Sequence, residues 1–126
     1  MGDYAAGIAK TAIKIEDENI KSKPLKKLYV MAQLSREMLQ EGIQAFIDHD
    51  AERARKVAER DAEMDQLYRM VFKRLISLMS KHPGVVERGT YLLWCAHNLE
   101  RIADRVTNLA EQVIFMTTGN ISELTV

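Results

Sequence analysis

Asp61 and Asp65 stand four residues apart in the stretch DAEMDQLYRMVFKRLISLM, and Glu100 and Asp104 repeat that spacing in HNLERIADRVTNLAEQ. On a helix, residues four apart lie on one face, one turn above the other. Two carboxylates so placed oppose each other by about 0.2 to 0.5 kcal/mol in water, and by more when partly buried. Pairs on two successive helices offer oxygen ligands of the kind that suit hard or borderline cations. Asp61, Asp65, Glu100 and Asp104 are therefore the expected metal ligands, and His97, just before Glu100, is the side chain that could add a nitrogen.

A competing account needs no metal. Arg53, Arg55, Lys56 and Arg60 precede Asp61 on the same helix, and arginines beside a carboxylate cluster can hold it together by charge-assisted hydrogen bonds. A ferritin-like di-iron centre does not fit, because it needs Glu-x-x-His, and Phe46, Met79 and Trp94 stand three places before His49, His82 and His97. There is no Gly-rich phosphate loop, no G-x-S-x-G and no Cys and His at motif spacing. No catalytic constellation emerges from the residues.

The elements that must position these carboxylates are helices. Apolar residues recur at spacings of three and four, strict alternation is missing, and prolines are few. The pattern predicts an all-α antiparallel bundle of three long helices, 23–48, 51–81 and 85–118, with a shorter N-terminal helix over 3–17. The short helix carries Ala5, Ile8, Ala9, Ala12, Ile13 and Ile15. Pro24 suits a first turn, Asp50 an N-cap and Gly119 a C-cap, and His82, Pro83 and Gly84 punctuate a turn. The expected inner stripes are Leu25, Leu28, Ala32, Ser35, Leu39, Gly42, Ile43 and Phe46 on the first long helix. On the second they are Ala54, Val57, Ala58, Tyr68, Phe72, Leu75, Ile76 and Met79, a spacing that passes through Asp61 and Asp65. On the third they are Cys95, Leu99, Ile102, Val106, Leu109, Val113 and Met116, nearly opposite Glu100 and Asp104. A site at the edge of the bundle, open to solvent on one side, reconciles the two carboxylate pairs.

The totals agree with a single small domain. The chain has 126 residues, 47% of them hydrophobic, enough for a modest core. Eighteen basic residues balance eighteen acidic ones, so no net field argues for nucleic acid or an anionic membrane surface. Cys95 is the only cysteine, which excludes an intrachain disulfide and a cysteine-rich zinc site and suits a reducing compartment, the cytoplasm. No run approaches a membrane span, so any membrane association goes through a partner. Cys95 is expected buried and inert, Tyr91 and Trp94 packed, His97 packed or capping, and the methionines gap-fillers.

With their carboxylate pairs, DAEMDQLYRMVFKRLISLM and HNLERIADRVTNLAEQVIFMTTG resemble the phosphate-uptake regulator (PhoU) family. The resemblance implies two three-helix repeats of about a hundred residues in such proteins, each with Asp/Glu-x-x-x-Asp motifs on two helices. Residues 21–126 resemble the second repeat and residues 1–20 the last helix of the first. MGDYAAGIAK resembles IADRVTNLAE at an offset of 101, pairing Asp3 with Asp104, Ala9 with Ala110 and Ile13 with Ile114. Asp3 would then be a ligand without its partner, and the chain either a piece of a two-repeat protein or a short member. Asn108, one turn after Asp104, completes the second motif and joins the candidate ligands. The resemblance further implies a multinuclear iron or zinc site and a regulatory role that restrains the phosphate-starvation response. It links the ATPase subunit of the phosphate transporter to a sensor histidine kinase, at the inner face of the membrane through those partners. An amphipathic helix of this kind cannot stay alone in water, so it is expected to pack on the three long helices or to swap into a second copy of the chain, as a homodimer.

Overall fold

The computed structural model describes residues 23–119 and the single position Ala6; the predicted helix over 3–17 lies otherwise outside the described residues. The architecture is the expected all-α bundle. Helix α1 is Lys23–Asp48, α2 Ala51–Glu59, α3 Asp61–Lys81 and α4 Val86–Thr118, with a 3-10 turn over Pro83–Val85 before α4. Asp50 caps α2, its side chain accepting the Arg53 N–H at 3.1 Å, and Gly119 ends α4 in the left-handed conformation at φ 68°. His49, at the turn out of α1, also has positive φ, 52°.

One expected helix is interrupted. The span 51–81 breaks at Arg60, whose N–H bonds Val57 O at 3.1 Å, three residues back instead of four. Arg60 also bonds Glu37 on α1 at 3.0 Å. Neither Pro nor Gly marks the place, so the periodicity carries no sign of it.

Helix α4 runs parallel to α1 and antiparallel to α2 and α3. Ser35 Oγ lies 3.3 Å from the Leu99 carbonyl, and Thr117 Oγ1 lies 3.3 Å from the His49 carbonyl, so the two helices rise together. The buried face of α4 is a heptad. It runs through Gly89, Ala96, Ala103 and Ala110, seven apart, alternating with Leu92, Leu99, Val106 and Val113, also seven apart, with Ile114 beside them. Small residues alternate with large ones, so the backbones approach closely without voids. On α1 the seam is Leu28, Met31, Ser35, Met38, Gly42 and Ala45, with Leu34 beside it. A methyl group added at Gly42 would sit 2.9 Å from Val106 Cγ1, which fixes glycine as the residue for this crossing.

The expected stripes were rotated from this seam on two helices. Ala32, Ile43 and Phe46 are exposed on α1, and Met116 is exposed on α4 while the alanines are fully buried. Weighting by large aliphatics passes over alanine, glycine and methionine, the residues that fill the closest approaches. On α3 the core runs through Met64, Val71 and Leu75, and Phe72 and Ile76 are exposed. Trp94 is 56% exposed, not packed, because it sits two residues past Leu92 on the outer side of α4, edge-on to Tyr91 with ring centroids 5.6 Å apart. Cys95 is half-buried against the core, not enclosed. Among the described residues no helix is long and apolar enough to cross a membrane.

Candidate metal centre

The heptad that builds the core also builds the carboxylate cluster. On α2 and α3, Ala54, Val57, Asp61, Met64, Tyr68, Val71 and Leu75 follow one another at spacings of three and four. Asp61 thus holds a seam position where a leucine would ordinarily stand. Helix α4 packs along the same seam, and Glu100 and Asp104 flank its buried Ala96, Leu99 and Ala103. The second carboxylate pair therefore faces the bundle's edge toward α3, as a site open on one side requires.

Oxygens of Asp61, Asp65 and Asp104 lie within 4.8 Å of one another, and all three residues are half-buried. Asp61 Oδ1 is buried and, among the described residues, has no hydrogen-bond partner. An unpaired buried polar atom costs about 1 to 3 kcal/mol, more when charged, so this oxygen calls for a cation or a proton. Burial first, and then the charges of Asp65, Asp104 and Glu111, push the Asp61 carboxyl above its ordinary range; the Thr107 hydroxyl beside it pulls the other way. Glu100 is pushed up by burial and then by Asp104, Asp65 and Asp61. The strongest charges acting on both groups are other carboxylates. An all-oxygen set of this kind fits a hard or borderline cation.

The six sequence-expected ligands in the described region divide in two. Asp61, Asp65 and Asp104 come together, and Glu100 borders them, close enough to Asp104 to share a proton. His97 is exposed, its ring 6.5 Å from that of Tyr68, and Asn108 is exposed one turn beyond Asp104. Asp3 lies outside the described residues. Two residues near the cluster were passed over in the sequence, Thr107 and Glu111. They line a cleft of about 350 Å³ with Arg55, Ala58, Glu59, Asp61 and Ile114. The heptad signals both, since Thr107 follows Glu100 by seven residues and Glu111 follows Asp104 by seven.

The arginines proposed to neutralise the cluster are turned largely elsewhere. Arg53 bonds Glu41 at 2.6 Å and Arg60 bonds Glu37 at 3.0 Å, both on α1, while Arg55 bonds Glu52 at 2.8 Å. Arg55 also reaches the cleft beside Asp61.

Comparison with known proteins follows the same residues. The phosphate-specific transport system accessory protein PhoU homologue of Streptococcus pneumoniae is 35% identical over 124 residues, 98% of this chain and 57% of the relative. Its homologue in Rhizobium meliloti is 34% identical over 119 residues, 94% of this chain and 50% of the relative. In three dimensions the crystal structure of PhoU from Pseudomonas aeruginosa superposes with a TM-score of 0.89 at 30% identity, over 94% of this chain and 57% of that one. The chain thus spans about half the length of the curated relatives it matches. Residues 28–113, which hold all four carboxylates, match the PhoU domain, and this chain belongs to the PhoU family.

Proposed function

We propose that this chain is the repeat of a phosphate-responsive regulatory adaptor that restrains phosphate uptake and the phosphate-starvation response through protein contacts. In this reading residues 21–126 are one three-helix repeat and residues 1–20 the last helix of a preceding one. Asp61, Asp65, Glu100 and Asp104 hold iron or zinc, as one ion or a small cluster. The observation that carries the metal is the meeting of three carboxylate oxygens within 4.8 Å beside a buried oxygen with no partner. Bound metal would supply positive charge to the carboxylates and would tie α3 to α4. Its role is structural and regulatory, and no catalytic step is assigned to it.

Support for the regulatory part comes from the family and from relatives named as accessory proteins of the phosphate-specific transport system. The partners are the transporter's ATPase subunit and a sensor histidine kinase, met at the inner face of the membrane. The second reading, a metal-free helical interaction module, is favoured by Arg55 in the cleft beside Asp61 and Glu111.

A bacterium stripped of its own relative of this protein provides the test. Expression of the full-length protein containing this repeat is expected to restore low phosphate uptake in phosphate-rich medium, and Asp65→Ala with Asp104→Ala to lose that restraint. Restraint by the double variant equal to wild type would favour the metal-free reading. No restraint by wild type would remove the regulatory assignment.

A further inference from the structure

The edge where α3 meets α4 carries two different chemistries along its length. The faces that bring Asp65 to Asp104 continue, one heptad further toward the α3–α4 turn, as apolar residues. Phe72 follows Asp65 by seven residues and Ile76 follows Phe72 by four; on α4, Leu93 and Val86 precede Glu100 by seven and fourteen. Tyr68 stands at the junction, its ring 6.2 Å from that of Phe72 and 6.5 Å from that of His97. The floor is closed, because Leu93 packs against the core and a methyl group added at Gly89 would meet the Met79 sulfur at 2.5 Å. The sides are open: Phe72, Ile76 and Val86 are 43%, 41% and 46% exposed. Two packed helices thus border an apolar furrow that nothing among the described residues covers.

The rim of this furrow is basic. From Gln66 to Val86 the sequence has no Asp or Glu, while Arg69, Lys73, Arg74 and Lys81 fall in this run and leave the remainder with fourteen basic residues against eighteen acidic ones. All four are exposed, and among the described residues none of their side chains has an ion pair or a hydrogen-bond partner. Arg53, Arg55 and Arg60, by contrast, are each paired with a glutamate. Arg69 precedes Phe72 by three residues and Lys73 precedes Ile76 by three, so both stand beside the furrow. We propose that the furrow docks one amphipathic helix of a partner protein, apolar toward Phe72, Ile76 and Val86 and acidic toward Arg69 and Lys73. A helix fits because helices pack into the grooves of their neighbours at axis separations of about 8 to 10 Å. Unpaired cations in an acid-free run select carboxylates on the occupant. A flat lipid surface reaches the basic ridge but not side chains set between two helices. A second copy docked by the same face would set Arg69 and Lys73 against their own kind. The proposal rests on neither the metal nor the regulatory reading.

The probe is a fluorescein-labelled synthetic helix of about eighteen residues, matching the roughly 24 Å from Asp65 to Lys81, with leucine on one face and glutamate on the other. A twin carries lysine in place of glutamate. By fluorescence anisotropy with the full chain at low salt, the glutamate helix is expected to bind at least about tenfold more tightly than its twin. Arg69→Glu with Lys73→Glu is expected to weaken that binding by about tenfold or more, and Phe72→Ser with Ile76→Ser likewise. Arg36→Glu, at an exposed position of α1, should leave it unchanged. All the altered positions are exposed, and circular dichroism checks that each variant folds. The proposal is overturned if neither helix binds, if the two bind equally, or if the Arg36 variant loses as much as the Arg69, Lys73 pair. Phosphatidylglycerol vesicles bound by wild type and not by that pair, with no binding of the glutamate helix, would make a lipid surface the occupant. A dimer that the pair disperses in sedimentation would make it a second copy.

Discussion

Asp61→Asn is expected to raise the stability of the metal-free protein at neutral pH and to abolish the stabilisation that metal brings. The folded protein holds the Asp61 proton more tightly than the unfolded chain does, because the ionised group is half-buried among Asp65, Asp104 and Glu111. Ionisation therefore opposes folding. The penalty is full at neutral pH, fades as pH falls through the raised folded pKa and is gone below the unfolded one. Asparagine removes it, so the variant's advantage is largest at neutral pH and vanishes on acidification. Glu37 and Glu41 have the opposite sign: hydrogen bonds from Gln33 and Arg60 lower the first, and Arg53 lowers the second. Both are present in the two proteins and cancel in the difference. Zinc or ferrous iron at a hundred times its dissociation constant adds about 2.7 kcal/mol to a protein that binds it only when folded. Wild type should gain on this scale and the variant should not, so the order of their melting temperatures inverts when metal is added. Thermal melts with and without metal, from pH 7 to the carboxylate range, read both effects. An equal response to metal, or a metal-free variant less stable than wild type at pH 7, would contradict the account.

The second large effect is expected at Ala103, fully buried between Glu100 and Asp104. Ala103→Leu places three further carbons where the heptad of small residues brings α4 nearest its neighbours. Overpacking of a filled core costs about 1 to 3 kcal/mol, occasionally more, and buried Leu99 and Val106 on either side leave no room for relief. A loss near or above the top of that range is expected. The same expansion moves Asp104 away from Asp61 and Asp65, so metal affinity falls with stability. Gln112→Leu, at an exposed position of the same helix, should stay within about 0.5 kcal/mol. Urea unfolding of the two variants separates an effect of place from one of residue type, and equal midpoints would mean that α4 is not held by its small residues.

Much of this architecture is written locally in the chain. Asp50 and Gly119 mark helix ends by their own chemistry, and the long helices announce themselves by period. The carboxylates are legible for a related reason: Asp61 interrupts an apolar seam, and a charge in such a place is conspicuous. What escapes the pattern depends on a neighbour. Ala96, Ala103 and Ala110 look like filler until the neighbouring helices are packed around them, and Gly42 looks like a weak point until Val106 is seen against it. The turn at Arg60 rests on one hydrogen bond to Val57 and a reach across to Glu37, neither of which has a local signature. Trp94, expected to pack, sits instead on the outer side of α4, a place that follows from the heptad phase set by Leu92. Glu111 and Thr107 carry no signal as single residues and gain one only as the next heptad of Asp104 and Glu100.

Elemental analysis tests the central claim most directly, on protein purified without chelator or a metal-affinity step and beside the Asp65→Ala, Asp104→Ala double variant. The account predicts at least one equivalent of iron or zinc in the wild type and none in the variant, with helicity unchanged. Metal-free wild type that does not take up added iron or zinc, or a variant that retains its metal, would contradict it and leave the cluster to Arg55 and shared protons.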